Sequence, residues 1–132
     1  KRVPRSPTVW VRTSGMSVQL ATNSVPEDAP LPVKITLFRV LQESLANGFR
    51  HGGAVKQCVM LDTSDNQLRV EVRDEGKGFD PRAAKGEDHQ GIEGMRERVE
   101  VLGGTFFVWS AADQGTIVRA DLPLTSALTA HD

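Results

Sequence analysis

Cysteine is almost missing from this 132-residue chain: Cys58 is the only one. One thiol excludes an internal disulfide and a cysteine-built zinc site. The three histidines, His51, His89 and His131, lack ligand spacing, so no metal site made by protein groups alone is expected. Charge of one sign is lacking too. Sixteen basic and seventeen acidic residues leave a formal charge of −1, which gives no global field to gather nucleic acid or an anionic membrane. Any phosphate binding must be local. No apolar run nears the roughly 20 residues of a membrane span, and no signal-peptide pattern opens the chain. It begins with Lys1 rather than Met, which suggests a domain taken from a longer protein.

What is present suits one globular domain. Apolar residues make up 39% of the chain, with twelve glycines besides, enough for a real core at this length. Residues 1–15 read as a linker or N-terminal segment, in which Val9–Arg12 is either a short strand or more linker. Residues 16–123 read as the folded domain and 124–132 as a tail.

The stretch Pro32–His51 reads as a helix with two opposed stripes. Leu37, Leu41, Leu45 and Phe49 recur every fourth residue and, with Phe38, are expected to face the core. Arg39, Glu43, Asn47 and His51 form the opposite stripe. Asn47 and Gly48 are poor helix residues, Gly costing roughly 1 kcal/mol relative to Ala. Such a break is expected where a site needs an amide or a close backbone approach; the plain alternative is a solvated face.

The remaining elements follow from alternation and turn residues. Met16–Ala21 alternates as a half-buried strand. Val55–Leu61 is a strand with Val55, Gln57, Val59 and Leu61 on one face, and Leu68–Asp74 pairs with it as a hairpin, sending Leu68, Val70, Val72 and Asp74 inward. An inward aspartate at a strand end needs a partner. Gly76 and Gly78 follow it, and a tight turn is the simplest reading of that pair. Asp80–Gln90 reads as a mobile loop. Gly91–Leu102 reads as a helix with Ile92, Met95, Val99 and Leu102 on one face; its glycine-containing start favours an anion, and Arg96 and Arg98 either add charge or are solvated. Thr105–Trp109 and Thr116–Leu122 complete an α+β fold, a two-layer sandwich of mixed, mostly antiparallel sheet with helices on one face.

Four separated pieces then fit one pattern: Gln42-Glu43-Ser-Leu-Ala-Asn47 with His51, Asp74-Glu-Gly76-Lys-Gly78-Phe79, Gly91-Ile92-Glu-Gly94-Met95-Arg-Glu-Arg98, and Gly115-Thr116 before a strand ending Leu122-Pro123. Together they resemble the catalytic ATP-binding domain of bacterial sensor histidine kinases, within the wider family of gyrase, Hsp90 and MutL and its Bergerat fold. The Gln-Glu opening, the His-Gly-Gly-Ala run from His51 and the Gly-Met-Arg-Glu-Arg run most resemble kinases that pair with helix-turn-helix response regulators.

The resemblance implies that Asn47 holds a Mg²⁺ bridging the phosphates of ATP, and that Glu43 is the catalytic base or polariser. Arg50 and His51 would lie near the phosphates, Asp74 would accept the adenine amino hydrogen bond, and Gly76 and Gly78 would give the nucleotide room. Residues 80–90 would form its lid. Gly91, Ile92, Gly94 and Met95 would run along the nucleotide, and Thr116 would bond beside the adenine. The phosphoacceptor histidine of that family sits in a dimeric helical hairpin, and no such stretch occurs here. The domain is therefore expected to be cytoplasmic and monomeric, with membrane anchoring of the parent left open. It would act on a histidine of the parent's dimerisation domain and feed a response regulator, without nucleic acid. An anti-sigma-type serine kinase and a degenerate nucleotide-binding interaction module are the alternatives.

Overall fold

The computed structural model describes residues 8–13, 16–22, 28–52, 56–78, 87–111 and 113–124. The chain runs β1 (Thr8–Thr13), β2 (Met16–Thr22), α1 (Leu31–Gly52), β3 (Lys56–Ser64), β4 (Gln67–Asp74), α2 (Glu87–Val101), β5 (Thr105–Ser110) and β6 (Thr116–Pro123). Among the described residues six strands form one sheet in the order β1-β2-β3-β4-β6-β5. Only β2 and β3 are parallel; the other neighbours are antiparallel. The segment that the sequence left between strand and linker is thus β1, an edge strand of this sheet. The expected lid, residues 80–90, falls on residues 80–86, outside the described residues, and its last four positions begin α2.

Local chemistry explains the hairpins. Ser64 and Gln67 pair across a two-residue loop, and Asp65 and Asn66 both take positive φ, 51° and 61°. That is the turn whose twist matches the flanking strands, and Asp and Asn tolerate it. α2 ends on Gly103 at φ 83°, with the Gly104 N–H donating to Val99 O at 3.0 Å and the Gly103 N–H to Glu100 O at 2.9 Å. The six-to-one bond satisfies a carbonyl that the helix end would otherwise leave unpaired.

α1 packs on β4 and β6, α2 on β5 and β6, and the two helices on each other. The core between them holds Val33, Val40, Val59, Leu68, Val70, Val72, Val99, Leu102, Val118, Ala120 and Leu122. On the far face of the sheet, Arg69 pairs with Asp121 at 2.6 Å and Arg73 with Glu71.

α1 corrects the expected stripes. Its buried line is Val33, Thr36, Val40, Ser44 and Asn47, whereas Leu37, Leu41 and Leu45 flank the core and Phe38 is 61% exposed. The reason is geometric. At about 100° per residue, a stripe of every fourth residue drifts by about 40° at each step, while steps of three and four average close to one turn. Asn47, expected on the outward face, therefore turns toward the sheet and is 5% exposed.

Candidate functional site

The inner face of the sheet carries one polar row. Gln57 on β3 faces Asp74 on β4, Asp74 faces Thr116 on β6, and Thr116 faces Ser110 on β5. The next row inward, Val59, Val72, Val118 and Val108, is entirely apolar. The sheet thus offers hydrogen-bonding groups at one end of a greasy floor, a layout suited to a flat, partly polar ligand.

Each member of the row is held in place. Asp74 Oδ1 accepts from the Gly76 N–H at 2.9 Å, which assigns Gly76 a role in the turn after β4. The Ser110 hydroxyl donates to Gly115 O at 2.9 Å and lies 2.8 Å from Thr116 Oγ1. With its one proton directed to Gly115, Ser110 receives the Thr116 hydroxyl, whose oxygen keeps acceptor capacity. The Asp113 N–H donates to Lys77 O at 2.6 Å, binding the loop after β4 to the β5–β6 turn.

A narrow pocket lies above the row, lined by Ser44, Asn47 and Gly48 of α1, Val72 and Asp74 of β4, Ile92 of α2, Val108 of β5 and Thr116 and Val118 of β6. Four residues expected from the sequence, Asn47, Asp74, Ile92 and Thr116, meet there. The enclosed space is about 10 Å³, room for one water. The Ser44 hydroxyl, buried beside this space, donates to the Met95 sulfur at 3.6 Å, a soft contact between the two helices.

Other expected residues stand around the pocket. A Cβ on Gly91 would lie 2.2 Å from Glu43 Oε2, so the Glu43 carboxylate rests against the α2 backbone at Gly91. Met95 is buried below. Gly78, at φ 69°, packs so tightly on Ala111 that a Cβ would lie 2.1 Å from its carbonyl oxygen. The close approach made there is to the protein's own backbone. Gly94 has open space around it and lines a second groove of about 590 Å³ between Leu31 and Ile35 of α1 and Val101 of α2, away from the polar row. Arg98 lines that groove too, and Arg96 stacks 5.0 Å from the Phe106 ring. Arg50 and His51 belong to the last turns of α1, and their side chains lie outside what is described. Among the described residues no group of three or more His, Cys, Asp or Glu could hold a metal ion. No described helix is long and apolar enough to cross a membrane.

Ser44, Val72, Val108 and Val118 line the pocket without having been singled out from the sequence. The signal for Ser44 was a hydroxyl one turn before Asn47 and Gly48; the valines carried none beyond inward alternation. Gln57 carried a clear one, as the polar residue in the inward phase of β3.

Residues 33–126 match the family described as histidine kinase-, DNA gyrase B-, and HSP90-like ATPase. The chain is 40% identical over 88 residues to sensor histidine kinase LiaS of Bacillus subtilis, covering 67% of this chain and 24% of that protein. It is 37% identical over 95 residues to sensor protein VraS of Staphylococcus aureus, covering 72% and 27%. It thus spans about a quarter of the length of these relatives. Among solved structures, the blue-light activated histidine kinase of Erythrobacter litoralis EL346 superposes with a TM-score of 0.68 at 26% identity, covering 86% of this chain and 39% of that one. The histidine kinase domain of the same protein gives 0.64, covering 86% and 54%.

Proposed function

The chain belongs to the histidine kinase-, DNA gyrase B- and HSP90-like ATPase family, and on that premise we propose that it binds Mg-ATP and transfers the γ-phosphate to a histidine carried by another domain of its parent kinase. The observation that carries this reading is the convergence of Asn47, Asp74 and Thr116 from three separate elements on one pocket. Asp74 accepts the hydrogen bond of the adenine amino group, with Thr116 as the neighbouring polar contact. Val72, Val118 and Ile92 cover the faces of the ring. The Asn47 carboxamide oxygen fits a hard cation that takes its other ligands from phosphates and water. Bound there, Mg²⁺ would neutralise phosphate charge.

Glu43 lies one helical turn before Asn47 and against Gly91, at the side where the phosphates would leave the pocket. Its carboxylate is suited to accept a proton from, or orient, the attacking histidine. Arg50 and His51, one turn beyond Asn47, add positive or hydrogen-bonding capacity near the phosphates. Catalysis by such a site comes mainly from orientation and charge neutralisation. The partners are the phosphoacceptor domain of the parent and a response regulator downstream. The domain itself works as a monomer on the cytoplasmic side, where ATP is found.

The direct test is calorimetric titration of ATP with and without Mg²⁺. Saturable binding that Mg²⁺ strengthens is expected. A folded domain that takes up no heat with ATP would leave only an interaction module.

A further inference from the structure

Gln57 has no part in the pocket wall, yet it is among the most completely buried side chains of the protein, 1% exposed. It stands opposite Asp74 at the end of the polar row. Its Nε2 donates to Leu45 O of α1 at 3.2 Å. Its Oε1 is the one buried side-chain polar atom without a partner among the described residues. The amide fills the space that Gly48 leaves open: a Cβ on Gly48 would lie 2.1 Å from Gln57 Nε2 and 3.1 Å from Asp74 Oδ2. One point thus gathers the amide, the carboxylate and the helix backbone.

Burying an amide with its oxygen unpaired costs stability, and an apolar side chain of similar length would remove that cost. Every other fully buried position on β3 and β4 facing the helices is apolar. A local rule broken at such a place calls for a compensating gain. We infer that Gln57 is a positioning residue for Asp74, and through it a determinant of adenine selectivity. Anchored on the α1 backbone by one N–H, the amide ties α1 to β3 directly beside Asp74 on β4. Its Nε2 and the Asp74 Oδ2 atom both border the point where a Gly48 Cβ would stand. The carboxylate is thereby held at one height above the sheet, where it meets an amino group at the purine 6-position and rejects a carbonyl. This inference rests on the nucleotide reading above.

The experiment compares wild type with Gln57→Leu and Gln57→Met, measuring thermal unfolding without nucleotide and calorimetric binding of Mg-ATP and Mg-GTP. Both variants are expected to unfold at or above the wild-type temperature while binding ATP about tenfold more weakly, the equivalent of one positioned hydrogen bond. Their preference for ATP over GTP should narrow. Wild-type affinity and preference in either stable variant would reduce Gln57 to a core filler and overturn the inference. So would equal losses for both nucleotides in variants that unfold early. Wild type that binds neither nucleotide would overturn the nucleotide reading itself, and this inference with it.

Discussion

Gly48 of α1 approaches Asp74 of β4 so closely that a Cβ at position 48 would stand 3.1 Å from the Asp74 Oδ2 atom. The residue that weakens the helix locally is the one that lets helix and sheet close over the same site. Two of the separated sequence pieces therefore meet through a missing side chain.

Gly48→Ala should destabilise the domain, although alanine improves helix propensity by about 1 kcal/mol. The added methyl meets Gln57 Nε2 at 2.1 Å, and Gln57 is buried and cannot swing into solvent. Overpacking of this kind costs about 1–3 kcal/mol, so the net effect is a lower unfolding temperature. An unchanged or raised temperature in a thermal melt would show that the α1–β3 contact gives way easily.

Gly91→Ala should behave differently. Its methyl would meet first the Glu43 side chain, with Oε2 2.2 Å away and Cγ 3.4 Å, and a partly exposed glutamate can rotate aside. Stability should change by less than about 0.5 kcal/mol, while the displaced Glu43 slows phosphotransfer roughly tenfold or more in the parent kinase. Measuring autophosphorylation beside ATP affinity separates the two; full activity would remove Glu43 from the chemistry.

At Gly78 the backbone decides. Its φ of 69° and the Ala111 carbonyl oxygen, 2.1 Å from where a Cβ would stand, both oppose a side chain. Gly78→Ala should lose about 2 kcal/mol or more, combining the left-handed conformational cost with a backbone clash. Chemical denaturation reads this directly, and a loss below about 0.5 kcal/mol would contradict the packing described.

Asp74→Asn should weaken ATP binding by roughly tenfold to a hundredfold, the range for losing a charge-assisted hydrogen bond. Asn47→Ala should leave binding of metal-free ATP nearly intact and remove the gain from Mg²⁺. Calorimetry with and without Mg²⁺ gives both answers. If Asn47→Ala keeps the full Mg²⁺ dependence, the cation is held elsewhere.

Cys58 offers a pH test away from the pocket. Burial pushes its thiol up from the ordinary value, against the Arg73 charge that pulls it down, with Glu71 adding to the rise. The unfolded chain then ionises first. Stability from the half-buried neutral thiol is whole below the unfolded pKa and is lost as pH rises through the folded one. Thiolate absorbance in the folded protein should titrate above that of free cysteine. A midpoint at or below it would mean that Arg73 outweighs burial.

Much of this fold was legible because its signals are local. Strict alternation through Leu68–Asp74 puts Asp74 inward, since it follows from backbone sterics within a few residues. The polar run Asp62–Asn66 reads as a turn, and the structure narrows that turn to Asp65 and Asn66, with β3 continuing to Ser64. The buried face of α1 was misread for an equally physical reason. The leucines at every fourth position made a conspicuous stripe, but burial followed Val33, Thr36, Val40, Ser44 and Asn47, and Phe38 stayed outside. Hydrophobicity alone pointed away from a line that contains three polar residues.

The sequence by itself determined the kinds of element, the turns between most of them and the residue types able to bind a nucleotide. Only the tertiary structure decided which of those residues stand together. The β3–β4 hairpin that sets Gln57 beside Asp74 is legible in its turn; placing β6 between β4 and β5 is what sets Thr116 beside Asp74 and Val118 beside Val72. Dihedral preferences act within a turn or a strand, whereas these neighbours are chosen by burying one shared apolar face. No stretch of sequence near Asp74 records that choice.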